Sequence, residues 1–251
     1  PRADVMVDAL FGIGLSRAPE ADVHALIHAI NLQSAPVFSL DVPSGVDADH
    51  GSAPGAAVVA TRTLQFIVRH AGLSTGDALE YTGLVSLEDL DVPATTFDSV
   101  PVDAALLDRD ALARWLFPRR RNTHKGESGH VLSIGGDEGS GGAIALCAEA
   151  ALRTGAGLAS VATRQAHVAA LLARRPEAMV RAVGSTDDLA PLIERARVIA
   201  VGPGLGQGEW GRALFQRAVR SGKPLVLDAD ALNLLADSAV PLEDAILTPH
   251  P

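Results

Sequence analysis

Short apolar runs alternate along this chain with longer stretches whose apolar positions recur every three to four residues, the signatures of buried strands and amphipathic helices. Val5–Leu10 is strand-like, Phe11–Pro19 is a glycine-containing turn, Ala21–Gln33 is helical and Pro36–Val42 is again strand-like, ending in PSGVD. Two further strands are predicted at Thr63–Val68 and Gly83–Leu90. Between Pro93 and Pro101 the periodicity lapses, and a short helical stretch, Asp108–Phe117, leads to the run Pro118–Arg121. A second series then alternates five strands with four helices from His130 to Asp230, with Gly155 and Gly222 just past helical runs, where left-handed caps are expected. Alternation on this scale predicts parallel sheets, whose ligand sites lie beyond the carboxyl ends of the strands. The domain boundary falls near residue 100, and we draw it between residues 103 and 104.

Composition narrows the class. The chain has 251 residues, 47% apolar and 20% charged, enough to bury a sizeable core. A formal net charge of −9 argues against a nucleic-acid partner, the local basic run Arg119–Arg121 notwithstanding. No apolar run approaches the roughly 18 residues of a membrane span. The single cysteine, Cys147, sits in an alanine-rich helical pattern that suits a small buried residue, and a cytoplasmic, soluble chain is expected. Pro1 stands in place of an initiator methionine just before one strand-like run, and TPHP directly follows another. An internal segment of a longer protein is therefore expected, its open sheet edges would invite self-association and aggregation, and a homo-oligomer is expected.

Chemistry concentrates at the predicted strand ends. VIAVGPGLGQGEW, Val198–Trp210, breaks from an apolar run into four glycines before a helix, and reads as a phosphate- or nucleotide-facing loop with a purely structural turn as the alternative. The loop carrying Gly135, Gly136, Gly139, Gly141 and Gly142 offers N–H groups at a helix start, or is simply a flexible turn. Asp8 and Asp41 are one strand–helix–strand unit apart, so neighbouring strands can present both carboxylates beside the Ser44 hydroxyl and the N–H groups of Gly12 and Gly14. That set suits a cation with a phosphate-bearing ligand; capping is the alternative. Asp228 and Asp230 close a strand and open a helix, where they can cap, hold a metal or position water. His250 lies between two prolines on a stiffened turn, as a ligand contact or an ordinary loop histidine. His24 and His28 have a zinc-ligand spacing, but no third ligand is evident nearby.

Together VDALFGIGLSRAPE, LDVPSGVDADHG, GLSTGDA, THKGESGHVLSIGGDEGSGGAIAL, AALRTGAGLASVAT, RRPEAMV, VGPGLG, LDADALNLLA and LTPHP closely resemble the bifunctional NAD(P)H-hydrate repair enzymes. The resemblance implies a partial Rossmann-like parallel sheet, residues 1–103, as the C-terminal part of an NAD(P)H-hydrate epimerase domain. It implies a partial ribokinase-like α/β domain, residues 104–251, as the N-terminal part of an ADP-dependent NAD(P)H-hydrate dehydratase domain. The epimerase interconverts the R and S hydrates of NADH or NADPH. The dehydratase removes water from the S hydrate by phosphorylating the added hydroxyl from ADP, because phosphate leaves readily and hydroxide does not.

Residue by residue, the resemblance makes Asp8 and Ser44 potassium ligands. It makes Gly12, Ile13, Gly14, Leu15, Ser16, Arg17, Ala18 and Asp41 substrate contacts of the epimerase, and Ala143, Gly206 and His250 hydrate contacts of the dehydratase. Lys125 and Asp228 lie in family motifs without an assigned role. Magnesium is expected with ADP. The epimerase's Gly/Asn-rich motif and the dehydratase's GTGD motif, with its catalytic base, are absent from these residues, and His70 and Ala71 stand where a lysine and a proline are expected. A segment inactive by itself is therefore expected. The alternatives are a ribokinase-like small-molecule kinase and a non-catalytic nucleotide-binding protein.

Overall fold

A computed structural model describes residues 3–15, 17–102, 104–238 and 240–250. It contains two compact units that divide between Leu116 and Phe117, C-terminal of the 103/104 boundary drawn from the sequence. The segment between those positions is mostly irregular, with one helical turn, α2, at Arg109–Leu112. Asp108 starts that turn by accepting the Ala111 N–H at 2.7 Å.

In the first unit four strands, β1 (Met6–Asp8), β2 (Val37–Leu40), β3 (Arg62–Phe66) and β4 (Leu84–Glu88), pair in parallel in sequence order. The helix α1 (Ala21–Asn31) returns the chain from β1 to β2 and buries Ile27 against Val37 and Val58. It ends two residues before the predicted Gln33. β3 stops short of the predicted Val68 because Ile67 turns into the left-handed region at φ 68°. In register, Asp8 faces Ser39 and Ser39 faces Thr63, so one side of this small sheet carries a buried polar row.

In the second unit six parallel strands take the order β10-β9-β8-β5-β6-β7. They are β5 (His130–Ile134), β6 (Leu158–Thr163), β7 (Met179–Ala182), β8 (Val198–Val201), β9 (Leu225–Asp228) and β10 (Ala245–Thr248). Five helices connect them: α3 (Gly141–Thr154), α4 (Gln165–Arg174), α5 (Thr186–Arg195), α6 (Glu209–Val219) and α7 (Asp230–Ala236).

Alternation along the strands sorts the helices. Leu132 and Ile134 of β5 join Leu189 of α5 and Leu214 and Phe215 of α6 in one core. Val161 of β6, opposite Ser133, joins Ile144 of α3 and Leu171 of α4 in another. A parallel α/β sheet with helices on both faces is thus present, as the sequence pattern requires. Gly155 is the left-handed cap of α3, with φ 117°. Gly222 is left-handed too, at φ 66°, but α6 is capped earlier, by Arg220, so the turn comes two residues later than expected. α5 opens with a capping box between Ser185 and Asp188, and the N–H groups aimed at Asp188 hold its carboxyl below the usual range.

Leu214 is fully buried in the larger core of the second unit. Leu214→Ala is expected to lower the free energy of unfolding by roughly 2–5 kcal/mol, measured by urea denaturation, with the spread set by how far the site collapses.

Candidate functional sites at the strand ends

In the first unit the centre is Asp8, whose side chain is 2% exposed at the end of β1. Its Oδ2 accepts the Ser39 hydroxyl and the Ser44 N–H, both at 2.8 Å, and its Oδ1 accepts the Ser44 hydroxyl at 2.6 Å. Ser44 Oγ in turn accepts the Phe11 N–H at 2.9 Å, so it ties the loop after β1 to the loop after β2. The donors that reach this carboxylate are all uncharged, which leaves its negative charge uncompensated among the described residues. Ser39 was missed in the sequence; its signal is a polar residue inside the apolar run of β2.

Asp41 lies next to this cluster in the left-handed conformation, φ 67°. Its Oδ1 stands 3.3 Å from His70 Nε2, and its Oδ2 faces Gly12, where a β-carbon would come within 3.6 Å. His70, in the position expected to hold lysine, thus places a nitrogen against the same carboxylate. Gly12, Gly14, Leu15, Arg17 and Ala18 line a cavity of about 520 Å3, and Ile13 is 60% exposed. Ser16 lies outside the described residues.

In the second unit the strand order reverses between β5 and β8, and there the two glycine loops meet. The Gly136 N–H donates to Pro203 O at 3.0 Å and the Asp137 N–H to Gly204 O at 2.6 Å. A β-carbon at Gly204 would stand 2.7 Å from Ser140 Cβ and 3.3 Å from Ala143 Cβ, which brings the predicted Ala143 against the GPGLG loop. Gly206 sits between two carboxylates. Its N–H donates to Asp230 Oδ2 at 2.8 Å, and a β-carbon on it would come within 2.9 Å of Asp137 Oδ2.

A cation braces the same loops. Arg164 Nε is 2.7 Å from Asp137 Oδ1, and its guanidinium lies 4.3 Å from the ring centre of Trp210, whose indole N–H donates to Val183 O at 2.9 Å. The Asp137–Arg164–Trp210 stack is not apparent from sequence, because its members follow three different strands, Trp210 in the first turn of α6. Neither aspartate of LDAD caps α7: its N-cap is Ala229, Asp230 is its first residue, and Asp228 Oδ1 accepts the Thr248 hydroxyl at 2.9 Å. His250 is exposed two residues beyond Thr248, at the same carboxyl edge. Lys125 begins a short turn of 3-10 helix ahead of β5, at the opposite end of that strand. Cys147, on α3, is directed at Ser133 Oγ, and burial pushes its thiol up.

His24 and His28 are exposed on α1, and among the described residues no three His, Cys, Asp or Glu side chains gather as a metal site. No helix among those residues is long and apolar enough to cross a membrane.

Two protein families match this chain: residues 1–72 match the family described as YjeF-related protein N-terminus, and residues 131–251 match NAD(P)H-hydrate dehydratase. The chain is 46% identical over 250 residues to the bifunctional NAD(P)H-hydrate repair enzyme Nnr of Coxiella burnetii, covering 100% of this chain and 51% of the relative. It is 42% identical over 257 residues to the enzyme of the same name from Escherichia coli, covering 99% and 48%. The chain therefore spans about half the length of the curated relatives it matches. Among solved structures, a ribokinase-like superfamily protein from Enterococcus faecalis superposes with a TM-score of 0.53 at 32% identity, covering 57% of this chain and 53% of that one.

Two predictions follow from these contacts. Asp8→Ala strands three buried donors and is expected to lower the stability of the first unit by roughly 2–4 kcal/mol in urea denaturation, more than Ser44→Ala. Because burial raises the Cys147 thiol, less thiolate is present at pH 8 than in an exposed cysteine. Iodoacetamide is expected to alkylate the folded chain at least about tenfold more slowly than the urea-unfolded chain, as followed by mass spectrometry.

Proposed function

The chain belongs to the family of bifunctional NAD(P)H-hydrate repair enzymes, and from that premise we propose that it carries part of each of that family's two sites. Residues 1–103 are the C-terminal part of an NAD(P)H-hydrate epimerase domain, and residues 104–251 the N-terminal part of an ADP-dependent NAD(P)H-hydrate dehydratase domain. The substrates are the hydrates of NADH and NADPH. The whole protein is an isomerase and a lyase of the cytoplasm, acting as a homo-oligomer on neither nucleic acid nor membranes.

The observation that carries the dehydratase half is the meeting of the Gly135–Ser140 and Gly202–Gly208 loops at the reversal of strand order, with Ala143 and Gly206 at their contact. A crevice at that place is where parallel α/β sheets take nucleotides, and backbone N–H groups there suit phosphate. Ala143, Gly206 and His250 contact the hydrate. ADP, with magnesium, supplies the phosphoryl group that turns the added hydroxyl into a leaving group. We assign the catalytic base to a GTGD motif, which these 251 residues do not contain, and assign binding and orienting to the residues present. A ribokinase-like kinase would leave the match of residues 1–72 without an explanation.

In the epimerase half, Gly12–Ala18 and Asp41 contact the substrate. The oxygen-rich, buried cluster of Asp8 and Ser44 suits potassium, since the Asp8 carboxylate has neutral donors around it and a net charge to balance. Bound there, the ion would fix the loops after β1 and β2 beside the substrate's phosphates.

Incubating the chain with NADH hydrate, ADP and magnesium tests this reading. Saturable binding of the hydrate by calorimetry is expected, without return of NADH absorbance. Absence of binding would overturn the substrate assignment, and robust recovery of NADH would overturn the assignment of catalysis to residues outside this chain. Replacing lithium chloride with potassium chloride at equal ionic strength is expected to raise Tm in the unaltered chain and not in Asp8→Asn.

A further inference from the structure

The turn between β9 and α7 contains the most strained backbone at the second site. Ala229 has φ 45° and ψ −116°, a conformation that a residue with a β-carbon reaches only at a cost. The two aspartates that flank it leave in different directions. Asp230 Oδ2 accepts the Gly206 N–H at 2.8 Å, and Asp228 Oδ1 accepts the Thr248 hydroxyl at 2.9 Å. Thr248 Oγ1 also lies 3.2 Å from Leu227 O. Close packing locks the turn from below, because a β-carbon at Gly202 would come within 1.7 Å of Asp228 O and 3.0 Å of Ala231 Cβ.

We propose that Asp228–Ala229–Asp230 is a positioning elbow that sets two separate ligand-contacting segments, the Gly206 loop and the Thr248–His250 segment, in one frame. Neither aspartate touches the substrate. Asp230 holds the Gly206 N–H and thereby fixes the path of the loop through Gly206, whose other side is closed by Asp137. Asp228 holds Thr248, two residues before His250. The strain at Ala229 is the cost of aiming the two flanking carboxylates at partners on opposite sides of β9, the loop after β8 on one side and β10 on the other. A relaxed strand-to-helix turn would cap α7 with an aspartate and leave Gly206 and Thr248 untied. That this frame serves hydrate binding rests on the function proposed above; the frame itself does not.

The test is amide hydrogen exchange by NMR on the whole chain, with Tm measured alongside. In Asp230→Ala the Gly206 amide is expected to exchange roughly 10- to 100-fold faster than in the unaltered chain, as loss of a charge-assisted hydrogen bond implies. Amides of β5 and β8 should stay protected. Asp230→Asn, which keeps an acceptor oxygen, should recover most of that protection. Asp228→Ala should leave Gly206 unchanged and shift the resonances of Thr248 and His250. Unchanged exchange at Gly206 in Asp230→Ala, or an equal rise across β5 and β8, overturns the elbow. If Asp230→Ala does not fold, Asp230→Asn decides: protection equal to that of a fully exposed glycine overturns the proposal. Affinity for NADH hydrate should fall about tenfold in Asp230→Ala at unchanged Tm. Failure of the unaltered chain to bind the hydrate counts against the proposed function alone, because the exchange ratios still decide the elbow.

Discussion

The second unit depends on how closely the backbone leaving β8 approaches the backbone leaving β9. No β-carbon fits at Gly202, where the carbonyl of Asp228 occupies the space. That contact lets β8 run straight into a loop instead of a splayed exit. It places Gly204 against Ser140 and Ala143, and it brings Gly206 within hydrogen-bond reach of Asp230. The glycines of VGPGLG are therefore not interchangeable sources of flexibility. Gly202 is set by an approach to backbone, and Gly206 by carboxylates on both sides. Trp210, in the first turn of α6, closes the set by carrying the guanidinium that pairs with Asp137.

The first unit solves a different problem. A buried carboxylate without a cationic partner is costly, and Asp8 is retained by three close donors that come from β2 and the loop after it. Those donors also define the loops, since Ser44 links Phe11 to Asp8 and so couples the turn after β1 to the turn after β2. Asp41, in the left-handed conformation, sets its carboxylate between Gly12 on one side and His70 on the other. Two carboxylates on adjacent strand ends thus sit in different surroundings: one is buried among neutral donors, the other partly buried beside an imidazole.

How much of this was legible in the sequence follows from the range of the interactions. The strands and long helices were readable because their burial repeats locally. The glycine loops were readable because an apolar run ending in glycines is a local signal as well. The Asp137–Arg164–Trp210 brace was not, since each residue is unremarkable in its own segment and the three meet only after β5, β6 and β8 have been ordered. Ser39 was overlooked because one small polar residue in a strand is usually an outward-facing position; here the register opposite Asp8 turns it inward. The LDAD pattern marks Asp228 and Asp230 as chemistry-bearing and is equally compatible with capping. The structure gives them to Thr248 and Gly206 because the conformation at Ala229, which no residue type other than glycine would announce, points them away from the helix start.

Topology explains why the two units build their sites so differently. The strands of the first sheet follow one another in chain order, so no reversal opens a crevice among the described strands. Its polar centre has to be made inside the sheet edge, from a buried acid and the hydroxyls that face it. The second sheet reverses between β5 and β8, so its connections diverge to opposite faces and leave room at the carboxyl edge for glycine loops to approach each other. Such a crevice offers backbone N–H groups and helix starts, which bind phosphate without sacrificing a charged side chain. The aspartates around it are accordingly free to act on the loops. The first sheet thus centres on a buried acid among hydroxyls and the second on backbone N–H groups of loops that meet, and the order of the described strands sets that difference.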